Sequence, residues 1–311
     1  MKSFLLQNKS LKKVYFLLPV LLFTGFLIIF IINILLKIWV QENRISSSPI
    51  NTSKSFEYPV IKTQFVPKIS ATGAIIMDAD SKVVLYSKNP DIRFSPASTT
   101  KLMTALTALD IFNPTDILTV KIASREGSII GLVSGETLSL ESLIYAMLLP
   151  SANDAAYTIA QNYPAGYEKF IDLMNSKAKD LELSSTHYGD PAGLMDSQNY
   201  TTPFDLARLA SFAVSNPLIK DVVATKQKVI TDTTGTYVYR VENLNELLGV
   251  DGVNGVKTGY TQEAGQVLVT SKVEKGKTII IVIMGSENRF LDTQKLLDLV
   301  HDNLSFLSIH P

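Results

Sequence analysis

The stretch SPASTTKLMTALTALD, residues 95–110, places Ser98 and Lys101 three residues apart in a run that reads as one helix. Ser95 fits an N-cap, and Pro96 fits the first helical position, where its missing N–H costs nothing. Ser98 then lies in the first turn, and Lys101 shares its face. Leu102, Met103, Leu106 and Leu109 surround the helix with apolar side chains, as expected of a buried element. Burying Lys101 as a cation is expensive unless its charge is used or compensated. Desolvation lowers a lysine's pKa, and a neutral amine beside a hydroxyl is a general base. That pair would make Ser98 a nucleophile without a histidine, and the positive end of the helix would favour the developing alkoxide.

The spacing alone favours the plainer reading, a lysine that snorkels to solvent beside a small helix serine. Ser-x-x-Lys also occurs at Ser10–Lys13, in the basic N-terminal tail, and at Ser176–Lys179, on an amphipathic helix. Other short patterns add weight. Ser-x-Asn begins at Ser87, Ser151, Ser197 and Ser286, but only Ser151-Ala152-Asn153 sits at a break between two helical patterns. There side chains can point into a cleft. Lys-Thr-Gly occurs once, at Lys257–Gly259, where a strand begins. Gly259 keeps that strand open for an extended substrate to lie alongside.

The elements that must hold these residues follow from periodicity. TGAIIMDADSKVVLYSKN, from residue 72, is two apolar runs around a polar turn, a β-hairpin signal. Residues 139–163 read as two helices broken at Pro150, and 167–180 and 203–215 as amphipathic helices. Residues 255–286 give three short strands joined too tightly for parallel crossovers, hence antiparallel. Phe290–Phe306 reads as a closing amphipathic helix. Hairpin, helices, meander and last helix predict an α+β arrangement, with both ends of the domain contributing to one antiparallel sheet.

The 29 basic and 29 acidic residues balance, but Lys2, Lys9, Lys12 and Lys13 precede any acid; the rest carries 25 basic and 29 acidic residues. This excludes the basic folded face of a nucleic-acid binder. Residues 14–36 form 23 uncharged positions, roughly 34 Å of helix at about 1.5 Å per residue, enough for a bilayer core. Lysines before it and Trp39 after it orient the N-terminus inward. No small-x-small cleavage site follows, so an uncleaved anchor is favoured over a removed signal peptide. The expected organisation is a cytoplasmic tail at 1–13, a transmembrane signal-anchor at 14–36, a Ser- and Pro-rich stalk at 37–69, and a catalytic domain at 70–311 on the outer side of the plasma membrane. With no cysteine, that domain must rest on its core, which about 240 residues can supply.

Ser-x-x-Lys, Ser-x-Asn and Lys-Thr-Gly, in this order, are the motif set of serine acyl-transfer enzymes that recognise penicillin. PASTTKLMTAL around Ser98, PSANDAA around Ser151 and GVKTGYTQEAG around Lys257 resemble the serine-type D-Ala-D-Ala carboxypeptidases, the low-molecular-weight penicillin-binding proteins of peptidase family S11. HYGDPAGLMD (187–196) and TTPFDLARLA (201–210) extend the resemblance, which runs from about Gly73 to about Leu304. It implies the D,D-peptidase/β-lactamase-like fold: an antiparallel sheet of about five strands flanked by helices, a mostly helical region, and a site in the seam. It implies that Ser98 attacks the carbonyl between the last two D-alanines of a peptidoglycan stem peptide while Lys101 takes its proton. Ser151 would relay a proton to the leaving amine, with Lys257 completing the network. Asn153 would hold the substrate's amide, and Thr258 and Gly259 would lie beside it, Thr258 binding the terminal carboxylate with Lys257 near. The N–H groups of Ser98 and Tyr260 would form the oxyanion hole. β-Lactams would trap Ser98 covalently. No cofactor or metal is implied.

The sequence also departs from the family. The C-terminal β-domain and C-terminal amphipathic anchor of many relatives are missing from this sequence, so the N-terminal helix would take over anchoring. Position 260 is Tyr where some members have His, which puts substrate preference in doubt. Arg289, in SENRF, would either bind a carboxylate or cap the last helix from the surface. His187, His301 and His310 are scattered without metal-ligand spacing; His187 reads as structural, and Asp190 and Asp205 as turn and cap residues. A class A β-lactamase would need a water-activating glutamate, for which Glu242 is the nearest candidate, and would usually read SDN rather than SAN. The same fold would also serve a D,D-endopeptidase or transpeptidase, or a non-catalytic peptidoglycan-binding scaffold.

Overall fold

A computed structural model describes residues 23–39, 56–62, 66–301 and 303–309. The chain divides into two compact units, one of residues 1–55 with 310–311, the other Phe56–Ile309. In the first, residues 23–39 are helical and their Phe, Ile and Leu side chains are largely exposed. Residues 1–22 and 40–55 lie outside the described residues, and with them the expected tail and the first part of the expected span. Among the described residues no helix is long and apolar enough to cross a membrane.

The second unit opens with β1 (Phe56–Ile61), β2 (Gly73–Asp78) and β3 (Val84–Lys88), and a 3-10 turn, Ala97–Thr100, leads into α1 (Lys101–Ile111). β4 (Ile117–Thr119), β5 (Thr137–Ser139), α2 (Leu140–Leu148), α3 (Asn153–Gln161), α4 (Tyr167–Asp180), α5 (Pro203–Ser215) and α6 (Pro217–Val223) form the mostly helical part. β6 (Gln227–Thr231), β7 (Val238–Glu242), β8 (Val253–Thr261), β9 (Gly265–Glu274), β10 (Lys277–Ser286), α7 (Arg289–His301) and β11 (Leu304–Ile309) complete it.

Five strands form the main sheet in the order β3-β2-β10-β9-β8, every neighbour antiparallel. β10 is central because TIIIVIM is almost wholly β-branched and apolar, which suits a strand covered on both faces. Its side chains alternate. Ile280, Val282 and Met284 join the core beneath α1 to α6, while Ile279, Ile281 and Ile283 join Leu296, Leu297 and Val300 of α7. The sheet is thus a partition between two cores.

The helices start where their caps dictate. Ser139 Oγ accepts from Ser142 N before α2, Thr202 from Asp205 N before α5, and Asn216 from Ile219 N before α6. α4 and α5 occupy the expected residues 167–180 and 203–215.

The closing element differs from the expected helix 290–306. α7 stops at His301, and the apolar residues after it form β11, which pairs antiparallel with β1. A short apolar run fits either state, and here a partner strand decides. That partner lies within 37–69, the stretch read as stalk. The segment of the expected nucleophile also differs: Ser98 lies in the 3-10 turn, not the α-helix. Ser95 does not cap it in the expected way; its hydroxyl donates to Asp196 instead.

Candidate active site

The turn 97–100 presents Ser98 between α1 and the edge strand β8. Ala97 is held at φ +47°, a conformation that costs a residue with a Cβ about 1–2 kcal/mol. The surroundings enforce it. Asp196 accepts hydrogen bonds from Ser95 Oγ and from Thr261 Oγ1, tying the start of the turn to the end of β8. A Cβ on Gly259 would stand 3.2 Å from Pro96 O and 3.3 Å from Ser98 N. Gly259 therefore lets the strand run directly against the backbone of Pro96 and Ser98.

Lys101 is fully buried, and its Nζ donates to Ser98 Oγ at 2.8 Å and to Ala192 O at 2.8 Å. Desolvation lowers its pKa to about 7, although Asp190 and Asp154 oppose the shift. Near neutrality a substantial fraction is then free amine, within hydrogen-bond reach of the hydroxyl it would deprotonate.

Lys257, on β8, is also buried, and its Nζ donates to Thr258 O at 3.0 Å. Burial lowers its proton affinity well below normal, and the charges of Lys101 and Arg289 lower it further. These effects place the two lysines and the arginine in one electrostatic neighbourhood. Thr258 is buried beside Lys257, whereas Tyr260 is 65% exposed.

The break at Pro150 puts Ser151 at φ +67°, ahead of α3. Its hydroxyl is buried with no protein partner, as is Asn153 Oδ1. Buried polar atoms normally find partners, and exceptions gather where a ligand supplies them. Asn153 Nδ2 is fixed by Glu126 O at 2.8 Å. A Cβ on Gly127 would stand 2.5 Å from Asn153 Nδ2 and 3.6 Å from Leu194, so Asn153 lies beside the 190–199 loop.

Arg289 is the first residue of α7. It reaches across the sheet edge, Nη1 donating to Gly259 O at 3.0 Å, and stacks on Phe290. It is therefore not a free surface arginine. Tyr260, Gln266, Glu246 and Arg289 line a cavity of about 880 Å³ beyond the end of β8.

Three carboxylates at the site escaped the motif reading. Asp190 is fully buried and accepts from five N–H donors. Asp154 accepts from Gly131 N and Leu132 N, fixing the loop beside Asn153. Asp196 is the clamp described above. Their partners are mostly backbone N–H groups, which leave no side-chain pattern. His187 stacks on Tyr200 and its Nδ1 bonds Gln198 O. Asp205 accepts from Ser185 N and Thr186 Oγ1. His310 lies outside the described residues. Among the described residues no group of His, Cys, Asp and Glu could hold a metal ion.

Residues 60–288 match the family model for D-alanyl-D-alanine carboxypeptidase, peptidase S11. A D-alanyl-D-alanine endopeptidase of Escherichia coli K12 is 34% identical over 239 residues, covering 74% of this chain and 77% of that protein. A D-alanyl-D-alanine carboxypeptidase of Streptomyces sp. K15 is 33% identical over 254 residues, covering 75% and 87%. The crystal structure of the Streptomyces K15 DD-transpeptidase superposes with a TM-score of 0.71 at 33% identity, over 76% of this chain and 98% of that one. With the sheet, the three motifs and Ser98 hydrogen-bonded to the buried Lys101 in place, the chain belongs to the peptidase S11 family, the D-alanyl-D-alanine carboxypeptidases.

Proposed function

We propose that this protein is a penicillin-sensitive serine D-alanyl-D-alanine carboxypeptidase that removes the terminal D-Ala from peptidoglycan stem pentapeptides. The observation that carries the reading is the 2.8 Å hydrogen bond between Ser98 Oγ and the buried amine of Lys101. The Ser98 proton passes to Lys101 Nζ as Oγ bonds to the carbonyl carbon of the penultimate D-Ala. The N–H groups of Ser98 and Tyr260 hold the oxyanion, a contribution of ~3–4 kcal/mol per donor. The C–N bond then breaks, and the proton on Lys101 reaches the departing amine through Ser151, whose hydroxyl has no protein partner. Asn153 and Thr258 position the acyl chain and the terminal carboxylate, and Arg289 adds charge on the carboxylate side. Water, deprotonated by the same amine, hydrolyses the ester and restores Ser98. A β-lactam enters the same first step and stays attached.

An N-terminal anchor holding the domain outside the plasma membrane completes the proposal. It is supported by the uncharged residues 14–36, the lysines before them, and the helical residues 23–39 with outward-facing apolar side chains.

The names of the Escherichia coli endopeptidase and the Streptomyces transpeptidase favour one second reading, in which the acyl donor is a crosslinked stem or the acceptor an amine. The β-lactamase reading has less support: Glu242 is exposed at the end of β7 and pairs with Arg240.

The test is release of free D-alanine from a peptide ending in D-Ala-D-Ala by the full chain in detergent, beside Ser98→Ala. Release that disappears in the variant supports the carboxypeptidase. Acylation by labelled penicillin without release would shift the reading to the endopeptidase or transpeptidase. Neither acylation nor release by folded protein would leave a peptidoglycan-binding scaffold.

A further inference from the structure

The Ala192–Gly193 peptide group stands between two buried charges. Its carbonyl, Ala192 O, accepts from Lys101 Nζ at 2.8 Å, and its amide, Gly193 N–H, donates to Asp190 Oδ1 at 2.7 Å. Carboxylate, amide and amine form one hydrogen-bonded line through a single peptide unit. A negative charge on the N–H side polarises the amide and makes its carbonyl a stronger acceptor. The ammonium form of Lys101 gains from this more than the neutral form does.

The rest of the loop serves the same geometry. Asp190 Oδ1 also takes Ala192 N at 2.7 Å, and Oδ2 takes Leu194 N at 3.0 Å, Met195 N at 2.8 Å and Asn199 Nδ2 at 2.6 Å. Thr104 Oγ1, on α1 one turn beyond Lys101, donates to Pro191 O at 2.7 Å and locks the loop to the helix. Gly193 has φ +82°, and a Cβ there would stand 1.9 Å from Ala97 O, so the relay peptide is pressed against the nucleophile's own turn. One carboxylate thus organises the loop that fixes both the base and the turn carrying Ser98.

We propose that Asp190 is a positioning residue for Lys101, acting through the Ala192–Gly193 amide to fix where the amine stands and how strongly it holds its proton. The inference rests on Lys101 being the base for Ser98. The other charges facing Lys101 are Asp154, at the start of α3, and Lys257 on β8. Tyr157 and Tyr167, which also sense Asp190, are kept neutral by burial. Asp154 spends its acceptors on Ile130, Gly131, Leu132 and Ala155 N–H groups, with no peptide unit joining it to the amine. Asp190 alone has that link among the groups named.

The experiment follows acylation of the full chain by labelled penicillin from pH 5 to 9, which isolates the step in which Lys101 takes the Ser98 proton. Asp190→Asn removes the charge. The acid limb of the rate profile should move down by about one pH unit, because the amine loses its proton more easily. Asn199→Leu removes one donor and leaves the carboxylate less dispersed, so the limb should move up by a few tenths of a unit. A role confined to loop folding would lower the melting temperature of either variant and leave the limb where it is. An unmoved limb in folded Asp190→Asn overturns the proposal. If that variant does not fold, an unmoved limb in Asn199→Leu overturns it. Should Ser98→Ala still acylate and release D-alanine, the underlying reading of the site has failed instead.

Discussion

Lys101 and Lys257 are both fully buried, one on α1 and one on β8, and the positive charge of Lys101 lowers the proton affinity of Lys257. A folded protein rarely holds two lysines in one dry neighbourhood unless at least one is neutral for part of its working life.

The first consequence is a pH profile. As the proposed base, Lys101 would act only in its neutral form, and burial lowers its pKa to about 7. Acylation of Ser98 should therefore rise through about pH 7 and level off above it. Stopped-flow acylation with a fluorescent penicillin would measure this. A rate flat from pH 6 to 8 would count against Lys101 as the base.

Stability should show the same group with a different signature. The folded-state pKa of Lys101 lies below its unfolded value of 10.5. Between about 7 and 10.5 the unfolded chain binds the extra proton, so this residue's contribution to stability rises with pH across that window. Below it, the folded state bears the full desolvation cost. Lys101→Met removes that cost but leaves Ser98 Oγ and Ala192 O without a donor, about 1–3 kcal/mol each when buried. The melting temperature of Lys101→Met relative to the parent should climb as pH falls from 10 to 7. A constant difference would mean that Lys101 is not desolvated.

Ser151 separates activity from stability. Its hydroxyl is buried without a protein partner, so Ser151→Ala removes an unpaired polar group and should leave the melting temperature unchanged or higher. Acylation should nonetheless fall by about 10²–10³-fold if the hydroxyl moves protons. Parallel melts and acylation rates decide this, and a variant with full activity would remove Ser151 from the mechanism.

Gly193→Ala should be severe. The added methyl would stand 1.9 Å from Ala97 O at φ +82°, so backbone must move. We expect a loss of roughly 2–4 kcal/mol by denaturant titration, with acylation abolished. An alanine tolerated at wild-type stability would show that the loop does not press on the Ser98 turn.

Arg289 donates to Gly259 O and faces the cavity beyond Tyr260. Arg289→Gln should raise KM for peptides with a free terminal carboxylate by about 10–100-fold, a charge-assisted hydrogen bond contributing ~1.5–3 kcal/mol. A peptide whose C-terminus is amidated should be hydrolysed equally by both proteins. Equal loss on both peptides would assign Arg289 to folding.

Elements marked by local signals were legible in the sequence. Pro203 after a threonine, Ser139 ahead of an apolar run, and the turn at Asp80 each announced a boundary, and α2 to α5 and the strands β2, β3, β8, β9 and β10 stand close to where the pattern puts them. The β1–β11 ribbon was not legible, because its strands pair across more than 240 residues and neither has a turn signal toward the other. Ser98, Lys101, Ser151 and Lys257 stood out in the sequence because their side-chain types and spacing form motifs, and the structure places Lys101 against Ser98 and buries Ser151 and Lys257. Asp190 reads only as a turn residue. Its significance comes from backbone donors and from a peptide group about 90 residues beyond Lys101, a proximity created by α1 packing against the loop.

The ribbon has a mechanical side. Phe56 lies opposite Ile309 and Ile61 opposite Leu304, so the first strand of the domain is sewn along its length to the last. Tension arriving from upstream of Phe56 meets this seam before the main sheet. Through β11 it passes to α7, which is seated on the sheet face opposite the core of α1. A pull on the chain ahead of Phe56 is thereby carried along the ribbon and α7, away from the turn that holds Ser98.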